Sequence, residues 1–147
     1  IRLRFDNGDK RAVTGSKEGL FYADGRPNDG IAVVCEGPTD TAAALTLGLW
    51  AIGRPSCQGA VDHTMRLCKR LRINRLLVMA DNDAPKKLPN GKWWQPGFDG
   101  AKQLVAALGI EFKMLAPPAK DIRKWLQAGA TRADFDFLEK SQTWRTI

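Results

Sequence analysis

The stretch "IAVVCEGPTDTAAAL", residues 31–45, decides the fold. Ile31 to Cys35 form an unbroken apolar run, the pattern of a strand buried on both faces of a sheet. Glu36, Gly37 and Pro38 interrupt the run, and Ala42 to Leu45 read as helix. A strand, a tight turn and a helix make one βα unit. The buried strand therefore ends on a carboxylate, Glu36, and a second carboxylate, Asp40, stands at the mouth of the helix.

The rest of the chain extends this unit. Before it, "DNGD" at 6–9 predicts a hairpin, because Asn-Gly supplies the positive φ values of a tight turn. We read residues 1–25 as a small antiparallel lead-in ending at "GLFYA", and 26–147 as one compact unit. After residue 45 the expected order is a strand "WAI" at 50–52, a loop "GRPSCQGA" and a helix near 62–72. Then come strand "RLLVMA" at 75–80, a long loop at 81–97 and helix "FDGAKQLVAAL" at 98–108. Gly109 ends that helix. Strand "IEFKML" at 110–115, helix "DIRKWLQA" at 121–128 and a last helix from Thr131 follow, where T-R-A-D reads as a capping box. Strands alternating with helices predict an α/β fold with a mostly parallel sheet flanked by helices. The loop at 81–97 is long for a βα connection, and such loops are usually functional or disordered.

Bulk properties narrow the classes. With 147 residues, 44% hydrophobic and 27% charged, the chain can bury one good core and is not compositionally disordered. It begins on Ile1, so it reads as a piece of a longer polypeptide. No apolar run reaches membrane-spanning length and no signal peptide is visible. Cys35, Cys57 and Cys68 form no CxxC pair and His63 is the single histidine, which argues against zinc and against a disulfide framework. Each cysteine reads as a buried thiol in a reducing cytoplasm. A net charge of +7 and a pI near 9.6 favour a polyanionic partner.

Against that basic background the acids are conspicuous. Ligands of an open α/β sheet bind outside the carboxyl ends of the parallel strands. Strand 31–35 runs into Glu36, and strand 75–80 runs into Asp81-Asn82-Asp83. Asp81 and Asp83 project to one side if they stay extended. If the two strands are neighbours, Glu36, Asp40, Asp81 and Asp83 converge on one crevice. Such a cluster raises its own pKa values, and a basic side chain or a divalent cation must offset it. Oxygen donors without His or Cys select a hard ion, Mg²⁺ or Mn²⁺, which usually takes one or two carboxylates plus waters and phosphates.

At these residues the sequence resembles the Toprim domain of primases, topoisomerases, nucleases and recombination-repair proteins. The family pattern is a strand ending in Glu-Gly, an Asp shortly after, then DxD at the end of a later strand. Here these are "VVCEGPTD" and "LLVMADND". "EGLFYADG" at 18–25 and "PPAKDIRKWLQAGA" resemble the flanks of the phage, plasmid and mobile-element primase-helicases. The resemblance spans about residues 18–130 and implies a Rossmann-like Toprim fold. It implies Glu36 as general acid/base or metal ligand, with Asp81 and Asp83 on Mg²⁺ and Asp40 supporting or ligating. The implied reaction is nucleotidyl transfer from an NTP to RNA growing on single-stranded DNA. A helicase or zinc-ribbon domain would accompany it in the parent chain. A Toprim nuclease and a non-catalytic nucleic-acid-binding domain are the alternatives. The chain departs from the family at "APKKLPNGKWWQPG", residues 84–97, which displaces the helix carrying Asp99-Gly100.

Several residues have two readings. Lys86, Lys87 and Lys92 beside Trp93 and Trp94 combine cations with stacking surface, as single-strand binders do; alternatively the tryptophans cover the core edge. Arg66, Lys69, Arg70 and Arg72 form a solvated helix face or a nucleic-acid patch. Lys120 contacts a phosphate or metal together with Asp121, or Asp121 simply caps a helix. His63 reads as structural.

Overall fold

Both faces of the central strands are covered, which is why their sequences lack polar alternation. The computed structural model describes residues 2–146. In chain order the strands and helices are β1 (Arg2–Arg4), β2 (Lys10–Ala12), β3 (Phe21–Tyr22), β4 (Ile31–Glu36), α1 (Gly37–Thr46), β5 (Ala51–Arg54), α2 (Val61–Leu71) and β6 (Arg75–Met79). They continue with β7 (Lys86–Lys87), β8 (Trp93–Trp94), α3 (Pro96–Leu108), β9 (Glu111–Leu115), α4 (Ile122–Gln127) and α5 (Arg132–Lys140).

Five strands form the main sheet in the order β3-β5-β4-β6-β9. β3 is antiparallel to β5, and the other pairings are parallel. Successive side chains of a strand leave on opposite faces. Ala32 and Val34 of β4, with Leu76 and Val78 of β6, join the core under α2 and α3, through Leu67, Leu104 and Val105. Val33 and Cys35, with Leu77 and Met79, join the core under α1, α4 and α5, through Ala44, Ile122 and Phe135. The expected mostly parallel α/β architecture is therefore present, with the sheet sandwiched between two helical layers.

The connection after β4 enters α1 on one face, and the connection after β6 leads to α3 on the other. The chain thus diverges above two adjacent parallel strands, where this kind of sheet opens a crevice. Glu36 and Asp81 come from those two strand ends.

Three elements differ from the sequence reading. Phe21–Tyr22 pairs with β5 rather than with the hairpin β1–β2, so the stretch "GLFYA" supplies an edge strand of the main sheet. The loop at 81–97 is ordered as a second small hairpin, β7–β8, with Lys86 opposite Trp94 and Lys87 opposite Trp93. Its turn closes through the Leu88 amide to the Lys92 carbonyl and the Gly91 amide to the Leu88 carbonyl. Helix α3 begins at Pro96, two residues earlier than expected, because proline is pre-organised for a first helical turn. The T-R-A-D box at α5 forms as read, with the Thr131 hydroxyl taking the Asp134 amide and the Asp134 carboxylate taking the Thr131 amide.

Candidate functional site

The last residue of β4 has extended backbone, φ −95° and ψ 120°, and its side chain stands at the start of α1. The next residue, Gly37, has φ +77°, a conformation that side-chain-bearing residues rarely adopt. Gly37 and Pro38 therefore turn the chain sharply enough for a helix to follow the strand without a linker. Glu36 lies half-buried in a small cleft lined also by Arg54, Ser56, Cys57, Asp81, Gly97 and Ala101. The cleft holds about 20 Å³, room for roughly one water-sized group.

Asp81 faces the same cleft from the end of β6. Its pKa is raised from 3.8 to about 7, first by burial and then by the charges of Glu36, Asp40, Asp83 and Asp121. The charges of the other three predicted carboxylates, Glu36, Asp40 and Asp83, thus all act on Asp81, together with that of Asp121. The side chains nevertheless have separate partners. Asp40 is 8% exposed, and its Oδ1 accepts the Arg123 amide of α4 at 3.3 Å. Burial, followed by the nearby Asp121, raises the Asp40 pKa, and Arg123 opposes the rise. Asp83 pairs with Lys120 at 3.8 Å. Among the described residues no three acidic, His or Cys side chains are gathered closely enough to enclose a cation.

Asp121 is a helix cap: it accepts the Lys124 amide at 2.6 Å and is 5% exposed. It contributes to the field on Asp81 all the same. Lys120 is well exposed and reaches Asp83. The exposed basic arm is the β7–β8 hairpin: Lys86, Lys87 and Lys92 are exposed, Trp93 is 69% exposed and Trp94 is half-buried. One tryptophan faces water and the other leans inward. Arg66, Lys69, Arg70 and Arg72 are exposed, with Arg70 donating to the Tyr22 hydroxyl at 2.8 Å. His63, read as structural near a helix start, is exposed in the first turn of α2 beside them. Cys35 and Cys68 are buried, but Cys57 is half-buried in the cleft.

Sequence reasoning missed three contributors. Arg54 ends β5 directly opposite Glu36 on β4 and is 3% exposed. Gly97 lies so close to β6 that a Cβ there would come within 2.8 Å of the Asp81 amide nitrogen and closer still to its carbonyl oxygen. Gly100, one turn on, packs against Cys57, where a Cβ would lie 2.8 Å from the cysteine Cβ. The paired signal, glycines three apart at a helix start, was present in "PGFDG". Asp99 turns back to its own helix, accepting the Gln95 amide at 2.8 Å.

The raised Asp81 has a direct consequence for stability. Unfolded, the group releases its proton near pH 3.8; folded, it releases it near 7. The folded chain therefore holds a proton that the unfolded chain has lost, and this contribution is full below pH 3.8 and vanishes as pH rises through about 7. In EDTA, Asp81→Asn should gain stability over the parent as pH rises from about 4 to 8. Urea melts at each pH provide the test, and parallel pH profiles would place the perturbed group elsewhere.

Solved structures share this architecture. A DnaG catalytic core superposes with a TM-score of 0.61 at 18% identity, over 82% of this chain and 36% of the core. The DnaG primase catalytic domain bound to ssDNA gives 0.59 at 17% identity, over 81% of this chain and 35% of that one. A DNA primase domain from Pseudomonas aeruginosa gives 0.60 at 15% identity, over 99% of this chain and 57% of that domain. The fold is thus the one found in primase catalytic cores, and the chain spans between 35% and 57% of the length of these structures. No protein-family model and no curated protein matches the sequence. No helix among the described residues is long and apolar enough to cross a membrane.

Proposed function

We propose that this chain is the Mg²⁺- or Mn²⁺-dependent nucleotidyl-transfer domain of a cytoplasmic DNA primase that makes RNA primers on single-stranded DNA. The observation that carries the reading is Asp81, raised to about 7 by burial and four surrounding carboxylates at the open end of a parallel sheet. A site that accumulates so much negative charge fits a divalent cation, which relieves the repulsion. The carboxylate donors are oxygens, burial and Glu36 hold the Cys57 thiol of the cleft above its ordinary pKa and so protonated, and the arrangement is open, which fits an ion that takes one or two carboxylates and keeps its waters. Asp81 and Glu36 would hold the ion, with Asp83 released from Lys120 and Asp40 supporting from α1. When bound, such an ion polarises a phosphoryl oxygen and lowers the pKa of a bound hydroxyl.

The chain's own residues divide the remaining work. Glu36 would accept or return a proton beside the reacting phosphate. The Asp40–Arg123 contact fixes α1 against α4, so the turn that carries Glu36 keeps its place. Lys120 and the hairpin lysines attract the polyanionic template and NTP. Trp93 offers a stacking face to an unpaired base. The flanks "EGLFYADG" and "PPAKDIRKWLQAGA" favour the phage, plasmid and mobile-element branch, with a helicase or zinc-ribbon domain in the parent chain.

Millimolar Mg²⁺ or Mn²⁺ should raise the melting temperature by about 3–6 °C, the shift expected when a ligand reaches roughly ten times its Kd. Asp81→Ala combined with Asp83→Ala should remove the shift. An equal shift in parent and double variant would sink the metal assignment. For the hairpin, Trp93→Ala should weaken binding of a single-stranded oligonucleotide about 10-fold, since stacking contributes about 1–3 kcal/mol per base. Fluorescence anisotropy at fixed salt measures it, and unchanged affinity would assign Trp93 no contact with the template.

A further inference from the structure

Arg54 is the most deeply buried cation next to the cleft, and its surroundings account for only part of its hydrogen-bonding capacity. Its Nε donates to the Gly59 carbonyl at 2.9 Å. Its Nη2 is buried without a hydrogen-bond partner among the described residues. A guanidinium keeps its charge inside proteins, so a buried N–H left without an acceptor costs the full desolvation of that group. Burial accordingly lowers the Arg54 pKa, and Cys57, Glu36 and Glu18 act against that.

The chain spends several contacts on holding this arginine in place. The loop after β5 folds back so that Gly59 meets Nε, and the Gly59 amide is taken by the Ser56 hydroxyl at 3.0 Å. Glu18, from the segment before β3, accepts the Ala60 amide at 3.0 Å and ties the end of the loop. Ala60 adopts φ +57°, an uncommon conformation for alanine, to start α2 there. The guanidinium is thereby fixed beside the cleft that Glu36 and Asp81 line, with Nη2 left without a partner among the described residues.

We propose that Arg54 is the phosphate-binding residue of this site, its buried Nη2 donating to one anionic oxygen of a phosphoryl group held beside Glu36 and Asp81. The cleft volume of about 20 Å³ admits one such oxygen rather than a whole phosphate, so the rest of the group lies at the cleft mouth. Arginine is suited to this because its planar fork serves the Gly59 carbonyl and the ligand at once. The proposal rests on the phosphoryl-transfer reading of the site. The phosphoryl group belongs either to a nucleotide or to the nucleic-acid backbone.

Titrations of the chain in Mg²⁺ separate these sources, with inorganic pyrophosphate in one arm and a thymidine oligonucleotide in the other. Arg54→Gln removes the charge. Arg54→Lys keeps it on a single ammonium that cannot serve both acceptors. At least one of the two ligands should bind about 10-fold or more weakly to both variants. A loss limited to pyrophosphate assigns a nucleotide phosphate, and a loss limited to the oligonucleotide assigns the backbone. If both ligands bind Arg54→Gln as they bind the parent, or neither binds the parent, the proposal fails and Nη2 meets a water only. Should Arg54→Gln not fold by circular dichroism, Arg54→Lys carries the same comparison. The Mg²⁺ shift in melting temperature is read separately on the parent chain. Its absence defeats the metal reading, whereas its presence beside phosphate binding indifferent to Arg54 defeats only this proposal.

Discussion

Glu36→Gln should abolish primer synthesis by the parent protein, with a loss of at least about 100-fold, while leaving the chain folded. The substitution keeps the size and hydrogen-bonding reach of the side chain and removes its charge and its proton affinity. The backbone that positions it is the extended Glu36 followed by the left-handed Gly37, and the Glu36 side chain does not cap the helix that follows. Folding should therefore survive. The Asp81 pKa should fall, because the first charge raising it after burial is that of Glu36. Two readouts follow from one variant: primer yield on single-stranded DNA, and the pH profile of stability in EDTA. A folded variant that primes normally would remove Glu36 from the chemistry. A variant that loses priming but leaves the pH profile unmoved would show that the two carboxylates do not sense one another.

Gly97→Ala should cost about 3 kcal/mol of folding stability and remove the Mg²⁺-induced shift together. The added Cβ would run into the backbone of Asp81, which has no flexible end that can swing away. Overpacking against side chains usually costs about 1–3 kcal/mol, and a rigid obstacle puts this case at the upper end. Relief requires α3 to lift from β6, which opens the cleft and lets water reach Asp81. The Asp81 pKa then moves back toward 3.8, since burial is its largest cause. Gly109→Ala serves as a comparison: no atom lies near a Cβ there, and only its positive φ is strained. Similar losses at the two positions would mean that the contact with Asp81 is not special.

The parts legible in the sequence were those carried by local pattern. Ile31–Cys35 and Leu76–Met79 announced doubly buried strands because every residue in them is apolar. The positions of Glu36 and Asp81 at the ends of adjacent strands were legible because they follow directly on such runs. What escaped was set by distant neighbours. Arg54 sits beyond a short strand read as ending at Ile52, and its interest lies in facing Glu36 across a sheet register that no local pattern shows. Asp40 was placed in the first turn of its helix, yet its hydrogen-bond partner, Arg123, lies 83 residues away. The β7–β8 hairpin was the avoidable miss. Asn90-Gly91 carries the same turn signal as Asn7-Gly8, but the lysines and tryptophans around it lack the alternation that marks a strand.

The packing of Gly97 on Asp81 has a consequence for how such proteins diverge. It brings the two ends of the 82–96 segment to neighbouring points on the scaffold, so the segment leaves and rejoins the fold without spanning it. Closing a longer or shorter loop between fixed ends changes the entropy only slowly with length. The hairpin is therefore a cassette: it can be exchanged, lengthened or deleted while the strand ends keep their places. On the proposed function, contacts with the template and the reaction chemistry can then change independently of one another.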